Sequence, residues 1–248
     1  MNYKELAQSV EQYAIDLRRH FHMYPEISLQ EEKTSARICE ELEAMGIPYD
    51  VVGNRNVVGR IECGEGKKIA IRADIDALPM QEEIEWEFKS KIDGVMHACG
   101  HDAHAACLLA TAKALLQVKD ELPGTIYLCF QVAEEISGGG PEAIVAYLKE
   151  RGGVDQVFST HITPSMPTGV IGVKKQAMFA GNCKWKIVVT GQGAEFAVQT
   201  DVVCTGGEFG RIKRTVKRGK IGPCGAHFGK QRVAQCIECC AAFRGQSA

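Results

Sequence analysis

The run Met96-His97-Ala98-Cys99-Gly100-His101-Asp102-Ala103-His104 gathers a thiol, three imidazoles and a carboxylate just ahead of an apolar stretch. These are donors that borderline transition metals prefer. The Cys99-Gly100-His101 spacing lets two of them reach one ion, Cys99 as thiolate and His101 through a neutral nitrogen. Asp102 could bridge two ions or hold His101 in its tautomer. His104, entering a helix, suits a cap or the lining of a cleft; His97 is open between site and core. A second signal, Glu134-Glu135, follows an apolar strand and precedes Ser137-Gly138-Gly139-Gly140. Neighbouring side chains at a strand end point to opposite sides, so one glutamate can ligate metal while the other faces a substrate. A carboxylate so placed can take a proton from an activated water and return it to a leaving amine. Asp74 and Asp76 share a face at i, i+2, and either could orient a ligand. His161 ends a third apolar segment. Together these residues read as the site of a metal-dependent hydrolase.

The elements that must position them follow from periodicity. Leu6, Val10, Tyr13 and Leu17 recur at helical spacing and predict one helix over residues 3–20; Ala36, Cys39, Leu42 and Met45 predict another that stops at Gly46. A hairpin is expected around Gly53-Asn54, strands over 68–73, 125–132 and 154–160, and helices over 103–118 and 141–151, the last with Pro near its start. Alternating strands and helices imply an α/β fold with a mainly parallel sheet, whose site gathers where strands run out into loops. Asp74, Asp76, Glu134, Glu135 and His161 all follow strands. His20 and His22 lead from helix to turn and read as structural.

Composition narrows the function classes. The 248 residues are 45% hydrophobic and 24% charged, as in an ordinary globular protein. A net charge of -2 gives no reason to expect nucleic acid or an anionic membrane as partner. No apolar run approaches the roughly 20 residues of a membrane span. The polar start Met1-Asn2-Tyr3-Lys4-Glu5 is no signal peptide, so the eleven cysteines are expected as thiols and the cytoplasm as the location.

The combination of motifs resembles the bacterial and plant metallo-amidohydrolases that include hippurate hydrolase, auxin-conjugate hydrolase and N-acetyldiaminopimelate deacetylase, relatives of aminoacylase and glutamate carboxypeptidase. The resemblance rests on Leu17-Arg18-Arg19 through His22-x-x-Pro25-Glu26, Arg72-Ala73-Asp74-Ile75-Asp76-Ala77-Leu78-Pro79, Met96 to Asp102, and Gln131-Val132-Ala133-Glu134-Glu135. It implies a three-layer α/β/α sandwich of the zinc-exopeptidase type over residues 1–181, holding two divalent ions (Mn, Zn or Co). It further implies an inserted α+β lid and dimerisation domain beginning at 182–193. By that resemblance Cys99, His101, Glu135 and His161 are metal ligands, Glu134 is the general base and Asp76 orients a ligand. The implied reaction is hydrolysis of the amide of an N-acyl amino acid, by a homodimer.

The resemblance stops after Gly191-Gln192-Gly193, where Ala194-Glu195-Phe196 replaces an expected histidine-containing segment. Residues 194–248 hold nine Lys or Arg against four Asp or Glu, five cysteines and no leucine. The break in composition and the loss of resemblance coincide, which predicts out-of-frame translation; resequencing the gene would check it. The family's last ligand histidine has no match, His227 lying in another context, so little turnover is expected. Two alternatives remain: an inactive metal-binding remnant, or a regulatory protein using the tail's Cys224, Cys236, Cys239 and Cys240.

Overall fold

The computed structural model describes residues 2–136 and 140–173, and the backbone of 182–188 and 199–205. The glycine loop at 137–139, Gly191 to Gly193, His227 and the tail cysteines Cys224, Cys236, Cys239 and Cys240 lie outside the described residues. Two compact units divide the chain, Met1–Val170 and Ile171–Ala248.

In the first unit, α1 (Tyr3–Gln8) and α2 (Glu11–Met23) replace the single helix expected at the N-terminus. The Ser9 hydroxyl donates to the Leu6 carbonyl at 2.7 Å, a local alternative to the helical ladder, and Val10 leaves helical geometry. Then come α3 (Glu32–Ala44), β1 (Tyr49–Val52), β2 (Asn56–Glu62), β3 (Lys68–Asp74), α4 (His101–Gln117), β4 (Thr125–Gln131), α5 (Pro141–Glu150) and β5 (Gln156–Ser159). The sheet order is β1-β2-β4-β3-β5. It is mixed rather than mainly parallel: β3 runs parallel to both β4 and β5, but the β1–β2 hairpin joins β4 antiparallel. The hairpin leaves no room for the helical crossover that parallel pairing needs.

Central strand β4 explains the layering. Ile126, Leu128 and Phe130 pack with Leu17, Phe21, Ile38, Leu42 and Leu109 from α2, α3 and α4. The alternate residues Tyr127 and Cys129 pack on the other face with Ile144, Tyr147 and Leu148 of α5. This period-two division makes a three-layer α/β/α sandwich, with both faces of β4 covered. Burying a side chain such as Phe130 contributes about 1.5–3 kcal/mol.

The second unit contains β6 (Asn182–Val188) paired antiparallel with β7 (Gln199–Thr205), from Asn182↔Thr205 to Val188↔Gln199. Among the described residues no helix is long and apolar enough to cross a membrane.

Candidate metal centre

Parallel pairing brings the candidate residues together. Asp74 is in register with Gln131 and Arg72 with Ser159, so β3, β4 and β5 release their carboxyl ends side by side. Asp74, Asp76, Glu134, Glu135 and His161 emerge there, where open α/β sheets place ligands. Cys99 and His101 arrive from the loop entering α4. Gly100 joins them at φ 88°, a left-handed conformation, and a Cβ there would lie 2.1 Å from Ile162 Cδ1. Glycine is needed on both counts.

His101 is fully buried, and its tautomer can be read from its neighbours. Nδ1 lies 3.1 Å from Asp76 Oδ1. The other Asp76 oxygen accepts from Ser28 Oγ at 2.6 Å and from the Glu135 amide at 3.0 Å. Burial alone would raise the Asp76 pKa, but these hydrogen bonds from His101, Ser28 and Glu135 pull it down to about 2. An ionised Asp76 only accepts, so Nδ1 of His101 carries a proton; burial opposes a second proton while Asp76 and Asp74 favour it, and in the neutral ring Nε2 presents the lone pair. That Nε2 has no hydrogen-bond partner; 3.6 Å away is Asp74 Oδ1 and 3.7 Å away Glu135 Oε1, itself unpartnered.

On the other side, His161 Nδ1 donates to the Ile162 carbonyl at 2.6 Å, which turns Nε2 towards Cys99 Sγ at 3.5 Å. Donor atoms of Cys99, His101 and His161 all lie within 4.8 Å of one another, as do those of His101, Glu134 and Glu135. Burial, the hydrogen bond to Glu135 and the charges of Glu134, Glu135 and Asp74 push the Cys99 thiol up to about 12. Glu134 is raised by burial and then by Glu135. A carboxylate whose ionisation is disfavoured beside an orphaned imidazole nitrogen fits a divalent cation, which would reverse that penalty.

A third group, Asp74, His101 and His104, is as close, but Asp74 and His104 are already paired. His104 Nε2 accepts the Ile162 N–H at 3.0 Å, so its Nδ1 donates to Asp74 Oδ1 at 2.5 Å, and Arg72 Nη1 holds the other Asp74 oxygen at 2.8 Å. His104 therefore lines the cleft and ties the His161 loop to α4 and β3.

Two expectations change. Glu134 and Glu135 do not face opposite ways; both reach His101, because β4 ends at Gln131 and Ala133 turns to φ 53°. Asp102 does not hold His101. Its Oδ2 binds His22 Nδ1 at 2.7 Å and Arg18 Nε at 2.8 Å, and His22 Nε2 lies 3.1 Å from Glu82 Oε1. His22 is structural, as expected, and His97 is buried with both ring nitrogens unpartnered.

The Glu82 network carries a pH signature. Burial would raise the Glu82 pKa, but hydrogen bonds from the Ser90 amide, His22 and Trp86 lower it. A lowered carboxylate stabilises the fold above its unfolded pKa, and that contribution disappears as pH falls through the folded value. Glu82→Gln is therefore expected to lower Tm at neutral pH, with the gap to wild type closing on acidification. A gap that stayed constant in a pH series of thermal melts would contradict this.

Sequence reasoning missed Ser28, Glu31 and Asn56. Asn56 Oδ1 accepts the Val132 amide at 3.1 Å and Glu31 Oε1 the Ala133 amide at 2.7 Å. In the sequence, Gln30-Glu31-Glu32 has the look of a solvated helix start, with no signal that its middle residue is fully buried.

Residues 70–200 match the model of peptidase family M20/M25/M40. N-acyl-L-amino acid amidohydrolase of Geobacillus stearothermophilus is 42% identical over 197 residues, covering 79% of this chain and 53% of that protein. N-acetylcysteine deacetylase of Bacillus subtilis is 40% identical over 195 residues, covering 76% and 50%. A Bacillus subtilis crystal structure, described as a dinuclear metal-binding peptidase from the M20 family, superposes with a TM-score of 0.68 at 41% identity, covering 73% of this chain and 51% of that one. The chain belongs to peptidase family M20/M25/M40 and spans about half the length of these curated relatives.

Proposed function

We propose that the protein hydrolyses the amide bond of N-acyl amino acids with the help of divalent metal ions. The observation that carries this reading is the orphaned, tautomer-fixed Nε2 of buried His101, surrounded by Cys99, His161 and two carboxylates. Cys99, His101, Glu135 and His161 are assigned as the residues that would hold the metal. Two ions are proposed, manganese, zinc or cobalt, all suited to this donor set. When bound, such ions polarise a carbonyl and bring the pKa of water towards neutrality.

The chain's own residues do the rest. Asp76 holds the His101 proton on Nδ1, keeping Nε2 available. Glu134 accepts a proton from the water that adds to the amide carbon. It then delivers that proton to the leaving nitrogen as the C–N bond breaks, so that a carboxylic acid and an amino acid depart. The names of the relatives, N-acyl-L-amino acid amidohydrolase and N-acetylcysteine deacetylase, support this substrate class. We further propose a cytoplasmic homodimer acting on a small molecule, with no nucleic-acid or membrane partner. Residues 1–181 form the N-terminal part of the metal-dependent domain, and residues 182–193 open the lid.

Metal-stripped protein resupplied with manganese, cobalt or zinc is expected to hydrolyse members of an N-acetyl and N-benzoyl amino acid panel in a metal-dependent way, slowly because the family's last ligand histidine has no match here. Metal bound without turnover of any member would replace the reading with a metal-binding remnant.

A further inference from the structure

The exit of β4 is held in a way that a simple strand end does not require. Ala133, a non-glycine residue, sits buried at φ 53°, in a region that costs L residues on the order of 1 kcal/mol. Such a conformation persists only where the surroundings over-determine it. Its amide is bound by Glu31 Oε1 at 2.7 Å, the preceding Val132 amide by Asn56, and Gly140 approaches so closely that a Cβ there would meet the Val132 carbonyl oxygen at 2.0 Å.

Glu31 does not serve the helix it precedes. It stands at the cap position of α3, yet its side chain makes no capping hydrogen bond. Glu26 caps that helix instead, accepting from the Lys33 amide at 3.1 Å and the Thr34 amide at 2.8 Å. The Glu31 carboxyl is thus turned inward, fully buried, with Oε2 lacking any partner. A half-satisfied buried carboxyl is costly, and a surface glutamate at a helix start would carry no such cost.

We infer that Glu31 is a positioning residue: by accepting the Ala133 N–H it bends the chain after β4 so that Glu134 and Glu135 both reach His101. The consequence for catalysis rests on the hydrolase reading above; the consequence for geometry does not. The Glu135 amide, which donates to Asp76, is the near point at which a loosened bend would show.

The experiment compares Glu31→Met, which keeps bulk without a strong acceptor, with Glu31→Gln, which keeps a carbonyl acceptor. Amide exchange at Ala133 and Glu135 is followed by NMR on metal-stripped full-length protein, and zinc affinity is measured by calorimetry. In Glu31→Met both amides are expected to exchange about tenfold faster or more, and zinc to bind about tenfold more weakly, because a buried donor has lost its acceptor. Glu31→Gln is expected to stay within about threefold of wild type on both readouts. Wild-type exchange at Glu135 in folded Glu31→Met would overturn the inference. So would losses of about tenfold or more in Glu31→Gln, a criterion read against wild type alone if the methionine variant does not fold. Wild-type protein that binds zinc without hydrolysing any N-acyl amino acid would sink the hydrolase reading alone and leave this comparison intact.

Discussion

Glu134→Gln is expected to lower turnover of an N-acyl amino acid by about 10²–10⁴-fold, while bound metal and KM stay close to wild type. Glutamine has the shape of glutamate but can neither accept the water's proton nor return it to the departing nitrogen. Glu134 suits the task because burial and the neighbouring Glu135 raise its pKa, making it a stronger base than a solvated carboxylate. Its side chain remains exposed. Steady-state kinetics with metal analysis of the same samples tests this. A variant that lost its metal together with its activity would make Glu134 a ligand instead.

His101→Ala is expected to weaken zinc binding by more than about a hundredfold, and Asp76→Ala by about ten- to a hundredfold. The order follows from the hydrogen bonds. His101 Nε2 is left unpartnered by its neighbours and lies among the donor atoms of Cys99, His161, Glu134 and Glu135. Asp76 has both oxygens spent on His101, Ser28 and the Glu135 amide, so its effect is expected to pass through the His101 ring it holds. Calorimetric titration of stripped protein separates the two. Equal losses, or a larger loss in Asp76→Ala, would place the aspartate rather than the histidine against the ion.

What the sequence made legible was chemistry carried by residue type and spacing. Cys99-Gly100-His101 and Glu134-Glu135 are dense enough in donors to stand out, and period-two and period-3.6 patterns placed the strands and helices around them. His161 stands out in sequence by following a strand, and the parallel register of Ser159 with Arg72 brings that strand's end beside β3. The sheet's mixed direction was less legible, since hairpin and crossover strands have the same local pattern. Least visible were contacts between distant segments. Asp102 stands next to His101 in sequence but bonds His22 eighty residues earlier, and Asp76, 25 residues away, takes the role that adjacency suggested for Asp102. Glu31 reaches Ala133 across 102 residues, and a positive φ at alanine leaves no mark in composition.

Whether the cleft is a metal centre can be decided most directly by adding cobalt(II) to the stripped protein and recording its absorption. Thiolate-to-cobalt charge transfer in the near ultraviolet is expected for wild type and absent in Cys99→Ala, with visible bands of a low-symmetry site lost in His101→Ala. Cobalt that bound without the thiolate band, or with the same spectrum in Cys99→Ala, would contradict the assignment of Cys99 and move the site elsewhere in the chain.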